Sequence, residues 1–163
     1  MATTYNKHLD HPDNNHEDLI NYELLVYGIN DLSKQFNDTV SAALSRYMTE
    51  AKIGVRKLSR MTGIPNGTIS RYLHGTLKYD SDYLCAICIA LRLHPCRQRH
   101  LFTMLEINMP DERGKDRNRA YIIREFLDGC FYNESYTVAI CNKRLVNANM
   151  KALTSRFPLK EDK

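Results

Sequence analysis

No apolar run in this chain approaches the roughly 20 residues of a membrane-crossing helix, so a membrane-spanning role is excluded. The opening stretch, MATTYNKHLDHPDNNHED, is polar and acidic and lacks the apolar core of an export signal. The expected location is therefore the cytoplasm. Cysteine is sparse and odd in number, at Cys85, Cys88, Cys96, Cys130 and Cys141. Without an export signal, that count predicts reduced thiols rather than a disulfide framework. Internal repeats, low-complexity tracts and convincing strand alternation are also missing, so the expected fold class is all-α. No Gly-rich phosphate loop, paired carboxylate or nucleophile–base spacing stands out. The chain is expected to be a non-enzyme with no cofactor.

The absence with the most consequence is local. Between residues 44 and 79 the one acidic residue is Glu50, against seven Lys and Arg at 46, 52, 56, 57, 60, 71 and 78. Residues 1–43 reverse the balance, with seven acids against two lysines. Residues 80–163 are nearer parity, with fourteen basic and eleven acidic residues. The net charge of +4 is thus focused on one segment, as expected of a surface that meets a polyanion. A solvated basic face that binds nothing fits the charge equally well.

What is present has ordinary globular proportions, with 43% hydrophobic and 26% charged residues in a chain of 163. A chain of that length buries roughly two-thirds of its unfolded surface and needs no metal or disulfide staple. Residues 1–16 read as a disordered polar tail. Residues 17–39 read as an N-terminal helical extension, with Leu19, Ile20, Leu24 and Tyr27 on one face up to Gly28. A second stripe, Leu32, Phe36, Val40, Leu44, Tyr47 and Met48, runs to about Ala51. Residues 40–108 form the central domain and NMPDERGKD a polar linker, bounded at 109–116. Residues 117–163 form a C-terminal helical region, with a stripe of Ile122, Ile123, Phe126, Leu127 and Cys130.

Within the central domain, VRKLSRMTGIPNGTISRYLHG holds two helical patterns split at Gly63, Pro65 and Gly67. In the first, Leu58 and Met61 lie on the buried side, Ser59 is small, and Arg56, Lys57 and Arg60 point outward. Gly63 reverses the chain, because glycine takes a positive φ without penalty. Ile64 is an apolar peg, Pro65 fixes φ, and Asn66 is a candidate cap for the helix TISRYLH. There Ile69 faces in, and Tyr72 and Leu73 close the core before Gly75. Two short helices joined by a tight Gly turn describe a helix-turn-helix. The break lets the second helix leave steeply, so that its outer face can enter a groove.

These features, Leu58, Ser59, Gly63, Ile64 and Ile69 followed by SRYL, resemble the helix-turn-helix of the Cro/λ-repressor-like family of bacterial and phage transcriptional regulators. The resemblance spans about Val40 to Ile107. It implies a five-helix DNA-binding domain built from DTVSAALSRYMTE, VRKLSRMT, NGTISRYLH, SDYLCAICIAL and PCRQRHLFTMLEI. It also implies that the second helix of the pair places base contacts at Asn66, Gly67, Ser70 and Arg71. Gly67 departs from the family, which often carries a polar side chain there. Arg56 matches a phosphate-gripping position, and Lys57, Arg60, Thr68, His74 and Lys78 are further candidates for phosphate contact. The implied partner is double-stranded DNA, bound by a homodimer on a near-palindrome. Stripes at 19–36 and 117–131 are candidate dimer surfaces or intramolecular packing.

Two other readings compete. Cys85 and Cys88 form a CxxC, with His94, Cys96 and His100 following, a set with zinc-ligand chemistry. The pair sits inside a helical pattern, where cysteine also packs as a small hydrophobe, so no metal is expected. His8, His11 and His16 with Asp10 and Asp13 are read as chance composition of the tail. The alternative function is a protein-interaction module, such as a partner-bound antitoxin or accessory factor, with weak or indirect DNA contact.

Overall fold

The computed structural model describes residues 39–155. The polar tail expected at 1–16 lies outside the described residues. So do the helical extension expected at 17–39, except for Thr39, and residues 156–163. The described residues form seven helices and no strand. They are α1 (Val40–Glu50), α2 (Val55–Thr62), α3 (Asn66–Leu73), α4 (Ser81–Ala90), α5 (Pro95–Met104), α6 (Arg117–Gly129) and α7 (Val138–Asn147). None of them is long and apolar enough to cross a membrane.

Local chemistry sets the boundaries. Thr39 starts α1, its hydroxyl accepting from the Ala42 amide at 3.2 Å. Asp80 caps α4 in the same way, accepting from the Tyr83 amide at 3.1 Å. Pro95 occupies the first turn of α5, where its missing N–H costs nothing, and His94 caps that helix. Gly63 closes α2 at φ 77°, in the left-handed region that favours glycine.

α4 is the centre of the fold. Every residue from Leu84 to Leu91 is buried. A helix buried all round needs cover on every side. α2 packs against one flank of α4, while α6 and α7 also pack on it. α7 further touches α2, and α5 touches α6. Ile123, Phe126 and Leu127 of α6, with Cys130 just after it, therefore join Leu58 and Ile69 of the helix-turn-helix in one hydrophobic cluster. The stripe at 117–131 is used up in intramolecular packing. It is not a free dimer surface; the stripe at 19–36 lies outside the described residues.

Polar ties secure that cover. The buried Gln98 of α5 donates from Nε2 to the carbonyls of Leu93 at 2.7 Å and Leu127 at 2.6 Å. Arg92 donates to the carbonyl of Cys130 at 2.9 Å. The last helix, α7, ends at Asn147. Asn149 turns the chain at φ 57°, and Leu153 comes back into the core. Asn142 holds this return, accepting from the Leu153 amide at 2.8 Å and donating to the Thr154 hydroxyl at 3.0 Å. A buried amide with both ends paired outcompetes further helix at this point.

Candidate nucleic-acid interface

The turn between α2 and α3 is clamped from both sides by hydroxyls. Ser59 donates to the carbonyl of Ile64. Thr62 donates to the carbonyl of Leu58 at 2.7 Å and accepts from the Ile64 amide at 3.1 Å. Ile64 is thus held as a fully buried peg with its backbone satisfied. Sequence reasoning valued Ser59 for its size alone and did not single out Thr62. The available signal was the pair of hydroxyl residues in the last turn before Gly63, which compete well for backbone groups at helix ends.

Leu58, Ile64, Ile69 and Tyr72 are buried, and Met61 and Leu73 pack partly buried against the core. This anchors α3 by one side. The helical period then decides what faces out. Gly67, Ser70, Arg71 and His74 stand at i, i+3, i+4 and i+7, so they share the face opposite Ile69 and Tyr72. Gly67, Arg71 and His74 are exposed, and Ser70 is half-buried. Asn66 is exposed at the first position of α3. It is not the cap: Pro65 occupies that place, and no side chain caps the helix. The fixed φ of Pro65 is what admits the chain to the helix there.

Arg56, Lys57 and Arg60 are exposed along α2, and Thr68 is half-buried in α3. Lys78 is exposed in the connection to α4. That connection is held by its neighbour Tyr79, whose ring stacks on Tyr72 with centroids 4.0 Å apart and planes 10° from parallel. Tyr72 is in turn tied to α1, since Ser41 donates to its carbonyl at 2.9 Å. None of Arg56, Lys57, Arg60, Arg71 and Lys78 forms an ion pair among the described residues. Several arginines elsewhere are engaged within the fold. Arg97 pairs with Glu50 and lies 4.8 Å over the Tyr47 ring. Arg119 pairs with Asp82 at 3.0 Å, and Arg144 with Glu125 at 2.7 Å. Those three cations are engaged within the fold, whereas the ones on α2 and α3 have no such pair among the described residues.

Gly67 has open space around it, since a Cβ built there meets nothing within 4 Å. Gly67→Ala is therefore expected to stabilise the protein, by up to about 1 kcal/mol from helix propensity. A higher melting temperature by circular dichroism supports this; a lower one means that the glycine backbone itself is needed.

The cysteine-histidine set does not assemble. Cys85 and Cys88 are buried in the core, and burial pushes both thiols well above the usual range. Burial likewise pushes Cys130 and Cys141 up to about 12, so these thiols stay protonated and pack as small apolar groups. His94 is occupied at the start of α5, where its Nδ1 accepts from the Cys96 amide at 3.2 Å. Among the described residues, no three His, Cys, Asp or Glu side chains come together as a metal-holding group.

Comparison with known proteins places this geometry. Residues 43–95 match the family model of the Cro/C1-type HTH DNA-binding domain. Neither a curated protein nor a solved structure matches the chain.

Proposed function

Residues 43–95 are a Cro/C1-type helix-turn-helix DNA-binding domain, and from that premise we propose that the protein is a sequence-specific regulator of transcription. In this reading it is repressor-like, works in the cytoplasm of a bacterium or in a phage or mobile element, and binds as a homodimer. The DNA-binding domain is assigned to residues 40–108, with the helices after the 109–116 connection covering its core. No chemistry on a substrate is involved.

One observation carries the reading: five cations on and beside the helix-turn-helix are exposed and unpaired among the described residues. Arg71 lies on the outward face of α3, where its planar fork can bond guanine O6 and N7 together. Asn66, Gly67 and Ser70 complete the base-reading end. Arg56, Lys57, Arg60, Thr68, His74 and Lys78 flank it for phosphate, setting register and affinity without reading sequence. One such domain covers a half-site, which is the reason to expect two copies on a near-palindrome.

The test is a binding titration against random-sequence duplex DNA at several salt concentrations. With about five phosphates neutralised per subunit, log affinity is expected to fall against log salt with a slope near −4 or −5 per subunit. A folded protein that fails to bind duplex DNA at low salt overturns the proposal and favours an interaction module.

A further inference from the structure

α3 ends at His74, whose ring Nδ1 lies 2.6 Å from the carbonyl oxygen of Ser70. A carbonyl oxygen only accepts, so Nδ1 carries the proton of that bond in both charge states of the ring. The proton that comes and goes is therefore the one on Nε2. In the neutral ring Nε2 is an acceptor, which a phosphate oxygen repels. In the imidazolium it is a charged N–H donor, which a phosphate oxygen attracts.

The surroundings leave that choice to the ligand. His74 is exposed and shares the outward face of α3 with Gly67, Ser70 and Arg71. Arg71 lies one turn before it, and Lys78 follows in the connection to α4; both are cationic and exposed. Asp80, the nearest acid in sequence, is engaged at the start of α4 with the Tyr83 amide. α1 reaches this corner through the uncharged Ser41, bonded to the Tyr72 carbonyl. No carboxylate pairs with His74 among the described residues.

The geometry points to His74 as a proton-gated phosphate contact, which couples DNA binding to uptake of part of a proton per subunit. This rests on the DNA-binding reading above. The proton comes from solvent and stays on Nε2 while the phosphate is held. Binding then favours the charged ring, so affinity rises as pH falls. The charged ring also suits its place at the end of α3, where the helix dipole is negative.

The test measures dissociation constants at pH 5.5, 6.5, 7.5 and 8.5 and constant ionic strength, using duplexes selected from a random pool. Affinity is expected to be about two- to fivefold tighter per subunit at the acid end, the range supplied by one exposed ion pair. His74→Gln should bind at the weaker, alkaline level with that increment removed. His74→Lys should hold the tighter level across the whole range. Far-UV circular dichroism checks that both variants fold, which the exposure of His74 leads one to expect. A flat wild-type profile, or a wild-type profile that His74→Gln preserves, overturns the assignment. Steep salt dependence with flat pH dependence sinks the role of His74 alone. Absence of DNA binding at every pH and salt takes the DNA-binding reading down with it.

Discussion

Phe126→Ala is expected to lower stability by about 3–5 kcal/mol and, with it, the temperature up to which the protein binds DNA, although the residue carries no charge and is not on α2 or α3. Phe126 is buried, meets the Tyr136 ring edge-on at 5.1 Å, and has the Arg144 guanidinium 5.5 Å over its face. It belongs to the same hydrophobic cluster as Leu58 and Ile69. Truncation leaves a cavity between α6 and the helices it covers, in a protein whose whole stability is expected to be about 5–15 kcal/mol. Because the core is continuous, the helix-turn-helix should melt with α6 in a single transition. Urea denaturation followed by far-UV circular dichroism checks this, and the chain has no Trp to serve as a fluorescence probe. Two separate transitions, with DNA binding surviving the first, would mean that α6 and α7 are not needed by the DNA-binding domain.

Arg71 and Arg56 should fail in different ways. Arg71→Ala is expected to weaken binding to a selected site by about 1–3 kcal/mol, or about five- to 150-fold, while leaving binding to random duplex much less affected. Its guanidinium is assigned to base edges, so its loss removes discrimination. Arg56→Ala should instead weaken both kinds of DNA alike and flatten the salt slope by about 0.9. Both side chains are exposed and unpaired among the described residues, so neither change should disturb the fold. Competition titrations at two salt concentrations separate the outcomes. If Arg71→Ala left site preference intact, α3 would not be the reading helix, and the assignment of Asn66, Gly67 and Ser70 would fall with it.

What the sequence determined by itself was whatever depends on short-range stereochemistry. Gly63 ends one helix because a positive φ is needed there, and Pro65 admits the chain to the next. Asp80 and Pro95 mark their helix starts, and the periodic Leu58, Ile69 and Tyr72 identify the buried side, leaving Arg71 and His74 outside. The absence of acids around Arg56, Lys57 and Arg60 carried the polyanion reading.

What only the tertiary structure decided was partnership. A hydrophobic stripe states that a face will be covered, not by what; hence 117–131 could be a dimer surface until α6 was seen against α4 and α5. Cys85 and Cys88 could be ligands until α4 proved to be enclosed on all sides. The sequence could not distinguish Arg97, engaged with Glu50 and Tyr47, from Arg71, which has no such pair among the described residues, because the carboxylate that neutralises a cation comes from a distant helix. Local geometry is encoded in a few adjacent residues; which charges remain for a partner depends on every element that packs around them.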